Sequence, residues 1–552
     1  MLIKLQHLDY FYNKRKNSNK YNNKRYTRAG RTLRVMTALA LIAAMILSLC
    51  ACGSSVEGGN RENKAPNKDK GMRLSGKCWT DDVRTGVNDM LDIYGAAGKG
   101  KSSGEYVVFD FDNTCSIFDV EEQTFIYQLE TMSFAIQPYQ MHEILLTGIS
   151  DPNKDLKDHG YKGVTYDDWA QDITDAYSNL WYRYSGISAA GVSEENMKLL
   201  KDDPYWQEFS TKLRAMYDLL CDAESKDVAY PWISYMFYGM SDDQVYELTE
   251  RCLDVYSKVR TSKVTWRSPS DIDSRVGQVK VKWIKGVSVP GGIDELWQAI
   301  SDNNIDVWVC SASVPGVIRA AIDKFGLHDY CKGVTAMTPQ TDYYGNYKNA
   351  YDYETGYGYY ADEQGWTQMT TATGAQTHGE GKAEAIVNAI SPEYNDHGPI
   401  AGFMDSTGDF NFCTEFDSLA LVICFNRADR KVTDGGGLIA EIAVYEKDTL
   451  GYDLEKALEN GDTLYLLQGR NENGLRRLRS SEMTIRYGKK GEKLFAGEKN
   501  EAQLQSMIDR DMTIWDICDR YAVRASEEDS GLGFRTGFLE TYSGYHSIHL
   551  GE

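Results

Sequence analysis

Short apolar runs alternate along this chain with segments of helical spacing, and their order predicts an architecture. Residues 78–97 carry apolar positions at helical intervals, and "EYVVFDF" at 105–111 reads as a buried strand by its length and its β-branched and aromatic content. From about 121 to 300 the spacing is helix-like, rich in Tyr and Trp, with few strand signals. "ELWQAISDNNIDVWVCSAS" then predicts a helix, an Asp/Asn turn and a second apolar strand ending in small hydroxyl residues. Residues 314–326 read as helix, the Tyr/Gly-rich stretch 341–366 as hairpins or an ordered loop, and "GKAEAIVNAI" as another helix. "PIAGFMDSTGDFNF" and "LALVICFN" supply a third and a fourth strand, and "DGGG" at 434–437 suggests a boundary. Strand–helix alternation of this kind predicts a parallel α/β sheet whose ligand site lies beyond its carboxyl edge. No internal repeats are visible.

The strand ends carry the candidate chemistry. The first delivers Asp110, Asp112 and Thr114; the second delivers Ser311, with a helix after it. A helix start offers Lys382, and the third strand delivers Asp405 and Asp409. Clustered carboxylates repel one another and need solvation or a cation. Part of an EF-hand calcium loop also fits the first cluster, but Cys115 stands where that loop's sharp turn requires glycine, and a strand rather than a helix leads in.

In type, order and context the set "VVFDFDNT", "VWVCSAS", "GEGKAEAI" and "MDSTGDFNF" resembles the four motifs of the haloacid dehalogenase superfamily. The resemblance implies a Rossmann-like parallel-sheet core at 77–120 and 301–430. It also implies a large, mainly helical cap at 121–300, inserted between the first and second motifs, and leaves 431–552 as a C-terminal extension without a role. It further implies Mg²⁺ held by the Asp110 and Asp405 side chains and the Asp112 backbone carbonyl. Asp110 would be the nucleophile, forming an aspartyl-phosphate, and Asp112 the general acid and base. Ser311 and Lys382 would hold the phosphoryl oxygens, Asp409 would orient Lys382 or a metal-bound water, and Thr114 would brace the loop. A phosphate ester dianion repels an anionic nucleophile, so local charge neutralisation is required, and a hard, oxygen-preferring ion suits it. An acid at position 112 points within the superfamily to a phosphatase or phosphotransferase. The sequence departs from many relatives at Met404, where they carry glycine.

A large cap implies a small organic phosphate. The segment "CSIFDVEEQTFIYQLETMSFAIQP" is similar to that of bacterial phosphorylcholine phosphatases, which makes phosphorylcholine the favoured substrate. Trp169, Trp181, Trp206, Trp232 and Tyr235 are candidates for an aromatic cage around a quaternary ammonium, although aromatics at helical spacing more often form core. A broad-specificity acid phosphatase of the same fold and a solute-binding lipoprotein remain the alternative readings.

Charge and the N-terminus add location. The chain has 60 Lys and Arg against 81 Asp and Glu, and its first 51 residues carry ten of the bases with Asp9 as their one acid. The rest of the chain is strongly acidic, which argues against nucleic acid or anionic lipid as partner of the folded part. The basic start precedes "VMTALALIAAMILSLCACGSS", the layout of a secretory signal at 1–51. Leu49, Ala51 and Cys52 resemble a bacterial lipobox, implying lipidation at Cys52 and a folded part tethered by 52–76 to the outer face of the cytoplasmic membrane. An uncleaved single-span anchor is the other reading of the apolar run. Nine cysteines follow Cys52 with no C-x-x-C pair among them, so a thiolate zinc site is not expected, while disulfides are compatible with export.

Overall fold

A computed structural model describes residues 71–510, 512, 517 and 518, apart from 97, 99–100, 352–355, 429–434 and 495–497. Cys52, the apolar run before it and most of the tether lie outside the described residues. The strands that matter are β1 (Tyr106–Phe109), β2 (Ser262–Arg267), β3 (Lys280–Lys285), β4 (Asp306–Cys310), β5 (Cys331–Thr335), β6 (Pro339–Thr341), β7 (Tyr347–Tyr351), β8 (Tyr357–Asp362), β9 (Gly365–Ala372), β10 (Ala401–Met404), β11 (Leu421–Phe425) and β12 (Leu464–Gln468). Eight of them form one sheet in the order β12-β11-β10-β1-β4-β5-β8-β9. From β12 to β5 every neighbouring pair is parallel, and β8 and β9 close the edge antiparallel. The chain leaves β1 for β4 and β5 on one side and returns to β10, β11 and β12 on the other. The topological switch point therefore falls at β1, where α/β sheets open a crevice.

Continuous apolar runs are what such a sheet requires, since helices cover both faces. Alternate residues divide between two cores. Val107, Phe109, Val307, Val309, Phe403 and Ile423 pack with the helices Asp81–Tyr94, Gly291–Asp302 and Pro315–Lys324. Tyr106, Val108, Trp308, Met404 and Val422 face the opposite layer, which includes Ile386, Ile390, Leu438 and Ile442. Each of these buried apolar side chains contributes roughly 1.5–3 kcal/mol. The Phe109 and Phe403 rings stack at 3.8 Å and pin β1 to β10 in register. Met404, the residue at which the sequence departs from the resembled motif, points into the second core and is fully buried.

Between β1 and β4 the chain builds a helical lobe with its own apolar core. Helices Tyr166–Arg183 and Pro204–Ala223 are its centre, and Lys212, fully buried, ties them by pairing with Asp172 at 2.8 Å. Three findings differ from the reading of the sequence. The antiparallel hairpin β2–β3 lies within the segment expected to be helical, and lays Val281 and Trp283 inward. Its strands alternate Val and Trp with Lys, Thr and Arg, a half-buried pattern too short to stand out among the surrounding helices. The helices Asp242–Tyr256 and Gly291–Asp302 belong to the first sheet core rather than to the lobe core. The glycine run at 435–437 is not a break: Gly435 opens the helix Gly435–Tyr445, and a Cβ there would meet Phe410 at 2.8 Å. The sheet continues beyond it into β12. All nine cysteines after Cys52 are free thiols. Among the described residues no helix is long and apolar enough to cross a membrane.

Candidate active site

Parallel strands aim their carboxyl ends at one edge, so residues that follow different strands meet there. Asp110 follows β1, Ser311 follows β4 and Asp405 follows β10, all three buried. Lys382, on the helix Glu380–Ala385, reaches the same point and donates to Asp110 Oδ1 and Asp409 Oδ1, each at 2.6 Å. Gly381 permits this approach, because a Cβ at that position would lie 1.8 Å from the Gln376 carbonyl oxygen. Carboxylate oxygens of Asp110, Asp405 and Asp409 come within 4.8 Å of one another. Asp110 Oδ2 is buried with no hydrogen-bond partner, and an all-oxygen set of this kind could hold a hard cation.

Burial pushes the Asp110 carboxyl up to about 8, Asp409 adds to the rise, and Lys382 opposes it. For Lys382 burial acts downward, but Asp110 and Asp409 outweigh it and hold the ammonium well above its ordinary value. The site therefore gathers three carboxyl groups around the buried Lys382 ammonium.

Asp112 is held from two sides. Val120 N, at the start of the helix Val120–Thr131, donates to its Oδ1 at 2.6 Å, and the Ser313 hydroxyl donates to its Oδ2 at 2.6 Å. Burial raises its carboxyl to about 7 against those two hydrogen bonds. Ser313 N also donates to Ser311 Oγ at 3.1 Å, so one residue links Ser311 to Asp112. Behind it Glu121 accepts from Val314 N at 3.1 Å, and burial first, then Asp119, lifts its carboxyl to about 8. The Thr114 hydroxyl donates to Asp405 Oδ1 at 3.5 Å. Asp409 Oδ2 accepts from the backbone of Asp405 and Ser406 at 3.3 and 3.1 Å.

All seven polar residues singled out at the strand ends and at Lys382 thus gather at this edge. The aromatics do not. Trp169, Trp206, Trp232 and Tyr235 are buried in the lobe core, and Trp181 packs half-buried against it. The indoles of Trp206 and Trp232 donate to the Leu129 and Leu145 carbonyls at 2.9 and 2.8 Å. Among the described residues, Tyr230 is an aromatic that the lobe does bring to the site. Its ring meets His378 edge-on at 4.4 Å, and His378 lies over Gly408, in the loop between Asp405 and Asp409.

Arg427, Ser313, Glu121 and Tyr230 were not picked out from the sequence. Arg427 donates to Asp405 Oδ2 at 2.9 Å. Its signal was its place just beyond "LALVICFN", another strand end at the same edge.

A scan against protein-family models finds no match, and no curated protein sequence matches the chain. Among solved structures, the chain is similar to a conserved, functionally unknown protein from Anaerococcus prevotii DSM 20548. The two share 23% identity with a TM-score of 0.57, over 76% of this chain and the whole of the other. At that identity the likeness bears on the fold alone.

Proposed function

We propose that the protein is an extracytoplasmic, Mg²⁺-dependent phosphomonoester hydrolase of the haloacid dehalogenase type, acting on a small organic phosphate. The observation that carries this reading is Lys382 bridging Asp110 and Asp409 beside Asp405, with one Asp110 oxygen buried and unpartnered. Asp110 and Asp405, with the Asp112 carbonyl, would hold the ion, which when bound supplies charge neutralisation for attack on a phosphate dianion. Asp110 attacks phosphorus and carries the phosphoryl group as an aspartyl-phosphate. Lys382 stabilises negative charge on the transferring oxygens, and the Ser311 hydroxyl donates to them. Asp112, raised to about 7, gives its proton to the leaving oxygen and then takes one from the attacking water. The helical lobe, meeting the site at Tyr230, screens it from bulk solvent and selects the leaving group.

Phosphorylcholine stays the favoured substrate on the sequence resemblance, without a cage built from the five aromatics, which serve the lobe core. Lipidation at Cys52 would keep the enzyme on the outer membrane face. The test is a panel of phosphomonoesters assayed with and without Mg²⁺. Metal-dependent turnover with preference for choline esters supports the full reading, and flat turnover reduces it to a broad phosphatase. Absence of turnover with tight solute binding would replace it by a binding lipoprotein.

A further inference from the structure

The carboxyl edge of the sheet continues past β10. Its next two strands, β11 and β12, each deliver an arginine two residues beyond their ends, Arg427 and Arg470. Arg427 pairs with Asp405. Arg470 is 1% exposed, and its Nη1 donates to the Asn113 carbonyl at 2.6 Å. Its Nη2 lies 3.4 Å from Asn113 Oδ1 and 3.2 Å from Glu472 Oε1. Glu472 is fixed in turn by Tyr487 N at 3.0 Å. Asn113 sits between Asp112 and Thr114 with φ +66°, the left-handed region that non-glycine residues seldom adopt.

A buried guanidinium is costly to desolvate unless its partners offset the loss of water. Packing alone gives no reason to place one here. What this arginine grips is the backbone of the loop that aims both aspartates.

We propose that Arg470 is a positioning residue for the loop Asp110–Thr114, holding Asn113 in the left-handed turn that sets where Asp110 and Asp112 point. The catalytic part of this proposal rests on the phosphatase reading. The same short segment also holds the attachment of the helical lobe. Arg476, nearly buried, donates to the carbonyls of Ser257, Val259 and Val287 at 3.1, 2.9 and 3.2 Å and to Ser288 Oγ at 3.0 Å. Ser288 in turn bridges Ile117, where the chain enters the lobe. Residues 470–476 thus clasp the acidic loop and the lobe's connections together, which gives part of the C-terminal region a role.

The test uses the full chain carrying Arg470→Lys, which keeps a charge but loses the planar fork. For p-nitrophenyl phosphate, kcat should fall about 10- to 100-fold with KM changed by less than about threefold. Hydrogen exchange should quicken in the peptide 110–118, where Thr114, Cys115 and Ser116 amides bond the Phe111 carbonyl, and stay unchanged in 315–324. Wild-type kcat together with wild-type exchange would overturn the proposal, as would loss of protection in both peptides, the sign of a purely structural role. Should Arg470→Lys not fold, Glu472→Gln, which leaves Arg470 in place but removes its anionic partner, is judged by the same two readouts. If the wild-type enzyme lacks phosphatase activity, that reading fails, and the exchange comparison alone decides whether Arg470 governs the loop.

Discussion

Two hydrogen bonds hold the Asp112 carboxyl in place. The Ser313 hydroxyl and Val120 N both favour its carboxylate, and burial opposes them. Replacing Ser313 by Ala removes one of the two, so the Asp112 carboxyl should titrate higher than the present value of about 7. The basic limb of the kcat–pH profile should then move to higher pH, while kcat on the plateau falls roughly tenfold for want of orientation. A profile whose limb stays in place would show that Asp112 is not the titrating acid. Asp110 supports a second expectation. Without metal its carboxyl is pushed up to about 8, so below that pH a proton occupies the position a cation needs. Mg²⁺ affinity measured by calorimetry should therefore rise with pH, by at most roughly tenfold per unit, and level off above about 8. Affinity independent of pH between 6 and 8 would speak against a metal site at Asp110.

Short elements place these residues, and their tolerances are tight. Lys382 depends on the first turn of its own helix, where Gly381 leaves no room for a Cβ beside the Gln376 carbonyl. Gly381→Ala must shift that backbone and carry Lys382 away from Asp110 and Asp409. We expect a loss of activity of at least tenfold, with a stability loss of about 1–3 kcal/mol by urea denaturation. Near-native turnover in that variant would mean Lys382 has latitude. Three strand ends were legible because apolar runs that stop at Asp, Ser or Asp are rare patterns with a reason, and parallel strands send their ends to one edge. Arg427 and Arg470 were not legible, since a lone arginine after a strand resembles any surface charge until the sheet order places β11 and β12 beside β10. The hairpin β2–β3 was hidden for a different reason: the alternation that turns Val281 and Trp283 inward spans too few residues to stand out among the helices around it. Gly435 read as a boundary because its close contact with Phe410 is invisible in sequence.

At the largest scale the molecule joins a parallel sheet, which aims acids at one edge, to a helical lobe whose tryptophans are structural. Trp169 and Trp232 are fully buried. Replacing either by Leu should cost about 2–4 kcal/mol of stability. Turnover of phosphorylcholine and p-nitrophenyl phosphate should decline together as the fold is lost. A selective loss of phosphorylcholine turnover in a stable variant would return a substrate-binding role to that tryptophan. The central claim, that Asp110 attacks phosphorus, has a direct chemical readout. Enzyme turning over p-nitrophenyl phosphate with Mg²⁺ is quenched in acid and reduced with borohydride, which converts an aspartyl-phosphate to homoserine. Mass spectrometry of the peptide containing Asp110 should then find homoserine at that position in the wild-type protein and none in Asp110→Asn, whose turnover should fall by several orders of magnitude. An unmodified Asp110 in an actively turning-over enzyme, or an Asp110→Asn variant with near-native turnover, would contradict the account.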